Sequence, residues 1–144
     1  MQKVDVTGVS ETMLQTLYVR ARCSQQADAK FVDEKACQMA EQIDYDFSVA
    51  QKDATMSKGV LERAIMLDRL VGEWLGSHPG ATVVILASGL DARAHCVQGW
   101  GRWYNLDLDQ VIELRRRLCR GFVPRCELPC RARHARAARV VCAH

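Results

Sequence analysis

Residues 82–93 read TVVILASGLDAR, five apolar or β-branched residues that run directly into a turn of small residues carrying Gly89, Asp91 and Arg93. An unbroken apolar run of this length, from Ala81 to Leu86, is the pattern of a strand covered on both faces in a parallel sheet. RWYNLDL at 102–108 supplies a second strand, and DQVIELRRRL from Asp109 the helix that follows it. Strand, glycine-containing turn, short helix, strand, acidic residue and helix is the opening of a nucleotide-binding α/β domain. In such sheets ligands sit beyond the carboxyl ends of the strands, where a tight turn lets the backbone approach them. Gly89 supplies the room. About twenty residues later Asp107 ends the second strand, where a carboxylate accepts both hydroxyl hydrogens of a ribose. The turn has one glycine rather than three, so it is not a dinucleotide fingerprint. On these two residues alone, a turn glycine and a helix-capping aspartate is the better account.

Upstream, the sequence reads as three helices. Ser10 followed by Glu11 caps a helix over about 12–22, with Met13, Leu14, Leu17 and Tyr18 on its apolar face. Asp33 caps a second, with Ala36, Met39, Ala40 and Ile43 on one side. In the third, Val60, Ala64, Leu67, Val71 and Trp74 recur at steps of three and four until His78-Pro79-Gly80 stops it.

The 144 residues carry a net charge of +3, and the distribution matters more than the sum. Residues 1–118 hold 5 Lys and 9 Arg against 16 acids, a balance of −2, whereas 119–144 hold 6 Arg and one acid, a balance of +5. That tail also holds four of the seven Cys and two of the four His. No apolar run approaches the ~18 residues of a membrane helix, and the N-terminus lacks the charged-then-apolar pattern of a secretory signal. A cytoplasmic chain with free thiols is expected.

Six blocks, VSETMLQTLYVRA, DEKA, EQIDYDFS, RAIMLD, VVILASGLDAR and WYNLDLDQVIELRRRL, resemble in order and spacing the leucine carboxyl methyltransferase family, and within it the bacterial O-methyltransferases of polyketide biosynthesis. The resemblance implies a class I, Rossmann-like α/β fold preceded by helices. It also implies S-adenosylmethionine as methyl donor and a carboxylate or hydroxyl of a small molecule as acceptor. By position it makes Gly89 the glycine that passes under the donor and Asp107 the ribose ligand. Arg63 becomes the partner of the methionyl carboxylate, with Arg22 supporting the same group. A guanidinium suits that task because it grips a carboxylate through two parallel hydrogen bonds. Without the resemblance, Arg63 reads as a surface partner of Glu62 or Asp68, and Arg22 as plain surface charge. Asp91 and Arg93 are expected to pin the turn by an ion pair. Ala87 stands where the family commonly has Gly, His95-Cys96 where Tyr-Arg is usual, and Asn105 where Asp is frequent. His95 is expected to be packed or exposed rather than a general base.

The expected organisation is a helical region at 1–80, the first two strand–helix units of the methyltransferase domain at 81–118, and an aberrant basic tail at 119–144. The family pattern is expected to end at Leu118, and the tail has the composition of a GC-rich gene read out of frame, which would truncate the enzyme. The second strand would then keep an unpaired edge, apolar surface would stay exposed, and self-association would follow. Two alternatives stand beside the enzyme: a non-catalytic fragment or interaction module, and a metal- or nucleic-acid-binding tail in which Cys126, Cys130 and His134 act as ligands. The tail has no standard paired ligand spacing, so neither a metal nor a nucleic-acid partner is expected.

Overall fold

A computed structural model describes residues 11–29, 31–48, 54–119 and 126–129. Helix α1 (Glu11–Ser24) buries Leu14, Leu17 and Ala21 along one stripe; Ser10, the expected cap, lies outside the described residues. Helix α2 (Glu34–Gln42) is capped as its sequence demands, the Asp33 carboxylate accepting the Ala36 amide at 2.8 Å. The Asp33 amide in turn donates to Ser24 Oγ at 2.7 Å, tying the end of α1 to the start of α2. Helix α3 (Ala54–Ser77) leads to strand β1 (Ala81–Leu86), a single 3₁₀ turn at Arg93–His95, strand β2 (Trp100–Asp107) and helix α4 (Asp109–Leu118). A short strand, β3 (Cys126–Pro129), completes a sheet of order β1-β2-β3.

Both strand pairs are parallel. The β1–β2 register slips once, because Ala81 faces Trp100 while Thr82 faces Arg102, so Gly101 is the extra residue of a bulge. Only glycine fits there: a Cβ on Gly101 would stand 2.3 Å from the Gly80 carbonyl oxygen. The Gly80 amide also donates to Gly99 O at 2.8 Å, which closes the strand entry.

Two expectations about the sheet are corrected. The second strand is not left with an unpaired edge, since Tyr104 to Asp107 of β2 pair with Cys126 to Pro129. Backbone pairing asks little of side-chain type, so an Arg- and Cys-rich segment gave no sign of it. Nor is β1 covered on both faces: Ala81, Val83 and Ile85 are half-buried, whereas Thr82, Val84 and Leu86 are exposed. The third helix departs in the same way. Val60 and Ala64 are buried, but Leu67 and Trp74 are exposed, as are Met66 and Leu70.

The principal core joins α1, α2, the turn after β1 and α4. Leu14, Leu17, Ala21, Ala36, Met39, Ile43, Leu90, Ala92, Leu114 and Leu118 form one buried cluster. Burying each large aliphatic side chain is worth about 1.5–3 kcal/mol, so this cluster is what fixes the turn against the helices. No described helix is long and apolar enough to cross a membrane.

Candidate functional site

β1 ends by bending sharply. Ala87 (φ 50°) and Gly89 (φ 49°) both lie in the left-handed region. At Gly89 a side chain is disfavoured twice, by the backbone and by Met13 of α1, whose Cγ would lie a tight 3.1 Å from an added Cβ. Ala87 adopts the same conformation with a methyl group, which costs about 1–2 kcal/mol.

Asp107, at the carboxyl end of β2, reaches across to this turn. One carboxylate oxygen accepts the Gly89 amide at 2.7 Å and the other accepts the Leu108 amide at 2.7 Å. Each oxygen retains acceptor capacity beyond these bonds. A side-chain acceptor is therefore held in place where β1 and β2 both end.

Three guanidinium groups hold the turn from other sides. Arg93 donates to Asp91 through its backbone amide and through Nη1, each at 2.7 Å, and its Nε bonds Asp68 of α3. The expected Asp91–Arg93 pin is thus present. Burial raises the Asp68 carboxyl above the usual carboxylate range, against the opposing pull of the Arg93 guanidinium. Arg20 of α1 donates to Leu90 O at 2.7 Å and lies 3.4 Å from the Asp33 carboxylate. Arg115 of α4 donates to Gly89 O at 2.7 Å and to Asp91 O at 2.9 Å.

In front of the turn opens a cleft of about 530 Å³, within the ~300–1,000 Å³ typical of small-molecule sites. Gly89 and Asp107 form part of its floor, Arg63 and Ala64 of α3 stand on one side, and Leu86 and Leu108 supply apolar surface. The two carboxylates that could occupy Arg63 are engaged elsewhere, Glu62 with Lys58 at 3.8 Å and Asp68 with Arg93. Arg63, Gly89 and Asp107 thus share one cleft. Arg22 does not: it is exposed and lies outside the lining, while Arg20, two residues earlier, belongs to it.

The sequence pattern that defines the leucine carboxyl methyltransferase family matches residues 13–137, well over half of the chain. The chain belongs to the leucine carboxyl methyltransferase family. Among relatives, it is 40% identical over 119 residues to the tetracenomycin polyketide synthesis O-methyltransferase TcmP of Streptomyces glaucescens, covering 81% of this chain and 44% of that protein. It is 35% identical over 127 residues to the S-adenosyl-L-methionine-dependent methyltransferase dpfgK of Gibberella zeae, covering 81% and 43%. This family member therefore spans a little under half the length of the curated relatives it matches. The family match runs past Leu118, where the sequence pattern was expected to end, and takes in the residues of β3.

The remaining candidates fall elsewhere. His95 lines a separate hollow of about 310 Å³ with Asp33, Glu34 and Cys96, away from the cleft in front of the turn. Asn105 is buried, its Oδ1 accepting Trp103 Nε1 at 3.2 Å. Among the described residues no group of three or more His, Cys, Asp or Glu is placed to hold a metal; Cys130 and His134 lie outside them. Arg20 and Arg115 were missed from sequence. Arg115 sits inside an Arg-Arg-Arg run that reads as a solvated face, and the only signal was its place in step with Ile112 and Leu118 on the inward side of the helix.

Proposed function

We propose that the chain provides the donor-binding part of an S-adenosylmethionine-dependent O-methyltransferase acting on a carboxylate or hydroxyl of a small molecule. The observation that carries this reading is the Asp107 carboxylate, held by two backbone amides in the lining of the cleft and directly beside a glycine whose left-handed backbone and close Met13 neighbour disfavour a side chain. Asp107 accepts the ribose hydroxyls, Gly89 lets the backbone pass close under the donor, and Arg63 offers its guanidinium to the methionyl carboxylate. Leu86 and Leu108 cover apolar parts of the donor. Arg20 stands near enough to the cleft to add positive potential, although its Nη2 is engaged by Leu90 O. Arg22 supports the carboxylate only if α1 shifts from the position described.

S-adenosylmethionine brings a sulfonium methyl that is already electrophilic. The protein's part is alignment and the exclusion of water rather than proton transfer. Polyketide-type acceptors are the substrate class favoured by the likeness to TcmP.

Calorimetric titration of this chain with S-adenosylhomocysteine tests the reading. Saturable binding is expected, with affinity reduced about tenfold or more by Asp107→Ala, the loss of the acceptor for the ribose hydroxyls. Absence of binding by the unaltered chain, or an unchanged affinity in the variant, would overturn it.

A further inference from the structure

Arg115, Arg116 and Arg117 are consecutive on α4, yet only Arg115 is buried, with 4% of its surface accessible, while its two neighbours are exposed. Taking a guanidinium out of water is expensive, and an apolar side chain of similar volume is often at least as stable in such a place. The inward neighbours on α4, Ile112, Leu114 and Leu118, are of that apolar kind. A charge kept among them has a task that packing does not explain.

The task is visible at Gly89. Its amide is held by Asp107 and its carbonyl by Arg115, two side chains eight residues apart on either side of the β2–α4 junction. These groups belong to successive peptide planes, so fixing both fixes the rotation about the Gly89 Cα between them. The same guanidinium nitrogen also takes Asp91 O, and Arg20 takes Leu90 O from the opposite helix. Three consecutive carbonyls are thereby held, the outer two by α4 and the middle one by α1. Arg115 itself is not part of the cleft lining.

We propose that Arg115 is a positioning residue, which holds the turn in its left-handed shape so that Gly89 and Asp107 keep the arrangement that receives the donor. The proposal rests on the donor-site reading above, but the shape of the turn can be tested without any donor.

Amide hydrogen exchange followed by NMR compares the unaltered chain with Arg115→Lys, Arg115→Met and, as a control, Arg117→Ala. Lysine keeps the charge but as a point charge on a shorter, flexible stem, and methionine keeps the packing without the charge. In both Arg115 variants exchange at Gly89 and Asp91, whose amides are held by Asp107 and by Ser88 O, is expected to rise about tenfold or more, because the turn opens more often once its carbonyls lose their charge-assisted bonds. Exchange at Leu17 and Ile112 stays near that of the unaltered chain, and Arg117→Ala changes nothing. Unchanged exchange at Gly89 and Asp91 in both variants overturns the proposal. So does unfolding of both, or an even loss of protection along the chain, because Arg115 would then merely support the fold. A parallel titration with S-adenosylhomocysteine separates the two claims: failure of the unaltered chain to bind removes the donor site, while the exchange pattern still decides the role of Arg115.

Discussion

Strand β1 and the turn that follows it behave differently. Where β1 leaves the sheet, every residue from Gly89 to Asp91 is gripped by a side chain from α1, α4 or the neighbouring loop. Along β1 itself, Val84 and Leu86 present half or more of their surface to solvent. The exposed Met66, Leu70 and Trp74 recur at four-residue steps along α3. The turn is complete within the described residues, whereas the sheet face is apolar and uncovered among them. Local polar contacts close over short distances, while covering a sheet face takes whole elements. A turn can therefore be finished before the layer around it is.

The contrast is sharpest in stability. Ile112→Ala, on the covered side at 1% exposure, is expected to cost about 2–5 kcal/mol, and Val84→Thr, on the open face, to stay within about 0.5 kcal/mol. Urea midpoints measure both, and a costly Val84→Thr would mean that the face is covered in solution. A smaller effect separates the two left-handed residues of the turn. Gly89→Ala should lose about 1–2 kcal/mol, from the backbone and the Met13 contact, whereas Ala87→Gly should gain up to about 1 kcal/mol by relieving the same conformation. Thermal melts of the pair would show opposite signs, and equal signs would place the strain elsewhere.

The weakest effect concerns pH. The Asp68 carboxyl titrates above its unfolded value, so its favourable contribution is full below that value and is lost as pH rises through the folded one. Asp68→Asn should remove that part of the decline. Urea midpoints at pH 4 and pH 6 for the two proteins would reveal it, and parallel slopes would deny it.

Much of this was legible in the sequence, for identifiable reasons. Asp33 lies three residues before the amide it caps, and cap geometry is local. The apolar run 81–86 and the acidic end of β2 mark their positions by chain order alone. Gly89 and Asp107 follow from that order and meet at 2.7 Å. What escaped notice depends on tertiary placement. Arg20 and Arg22 are two residues apart, so they point to different sides of a helix whose orientation the sequence does not announce. Arg115 is chemically identical to the exposed arginines beside it, and only the location of the turn sets it apart. β3 forms through main-chain groups, and no pattern of side chains foretold it. The open face of β1 departs from the two-sided cover that its apolar run suggested and agrees with the apolar surface expected to stay exposed, because such a run shows what a strand is suited to, not what lies over it.

The bulge at Gly101 has a consequence for measurement along the strand. β2 acts as a ruler laid against β1, with its zero mark where Gly101 presses on the Gly80 carbonyl and its sixth division at Asp107. Any side chain at 101 would move the zero. A slip of one division turns every residue of a strand to the opposite face, so the carboxylate would no longer be level with the turn it serves. The calibration of the cleft is thus set at the far end of the sheet, by two glycines that never touch it.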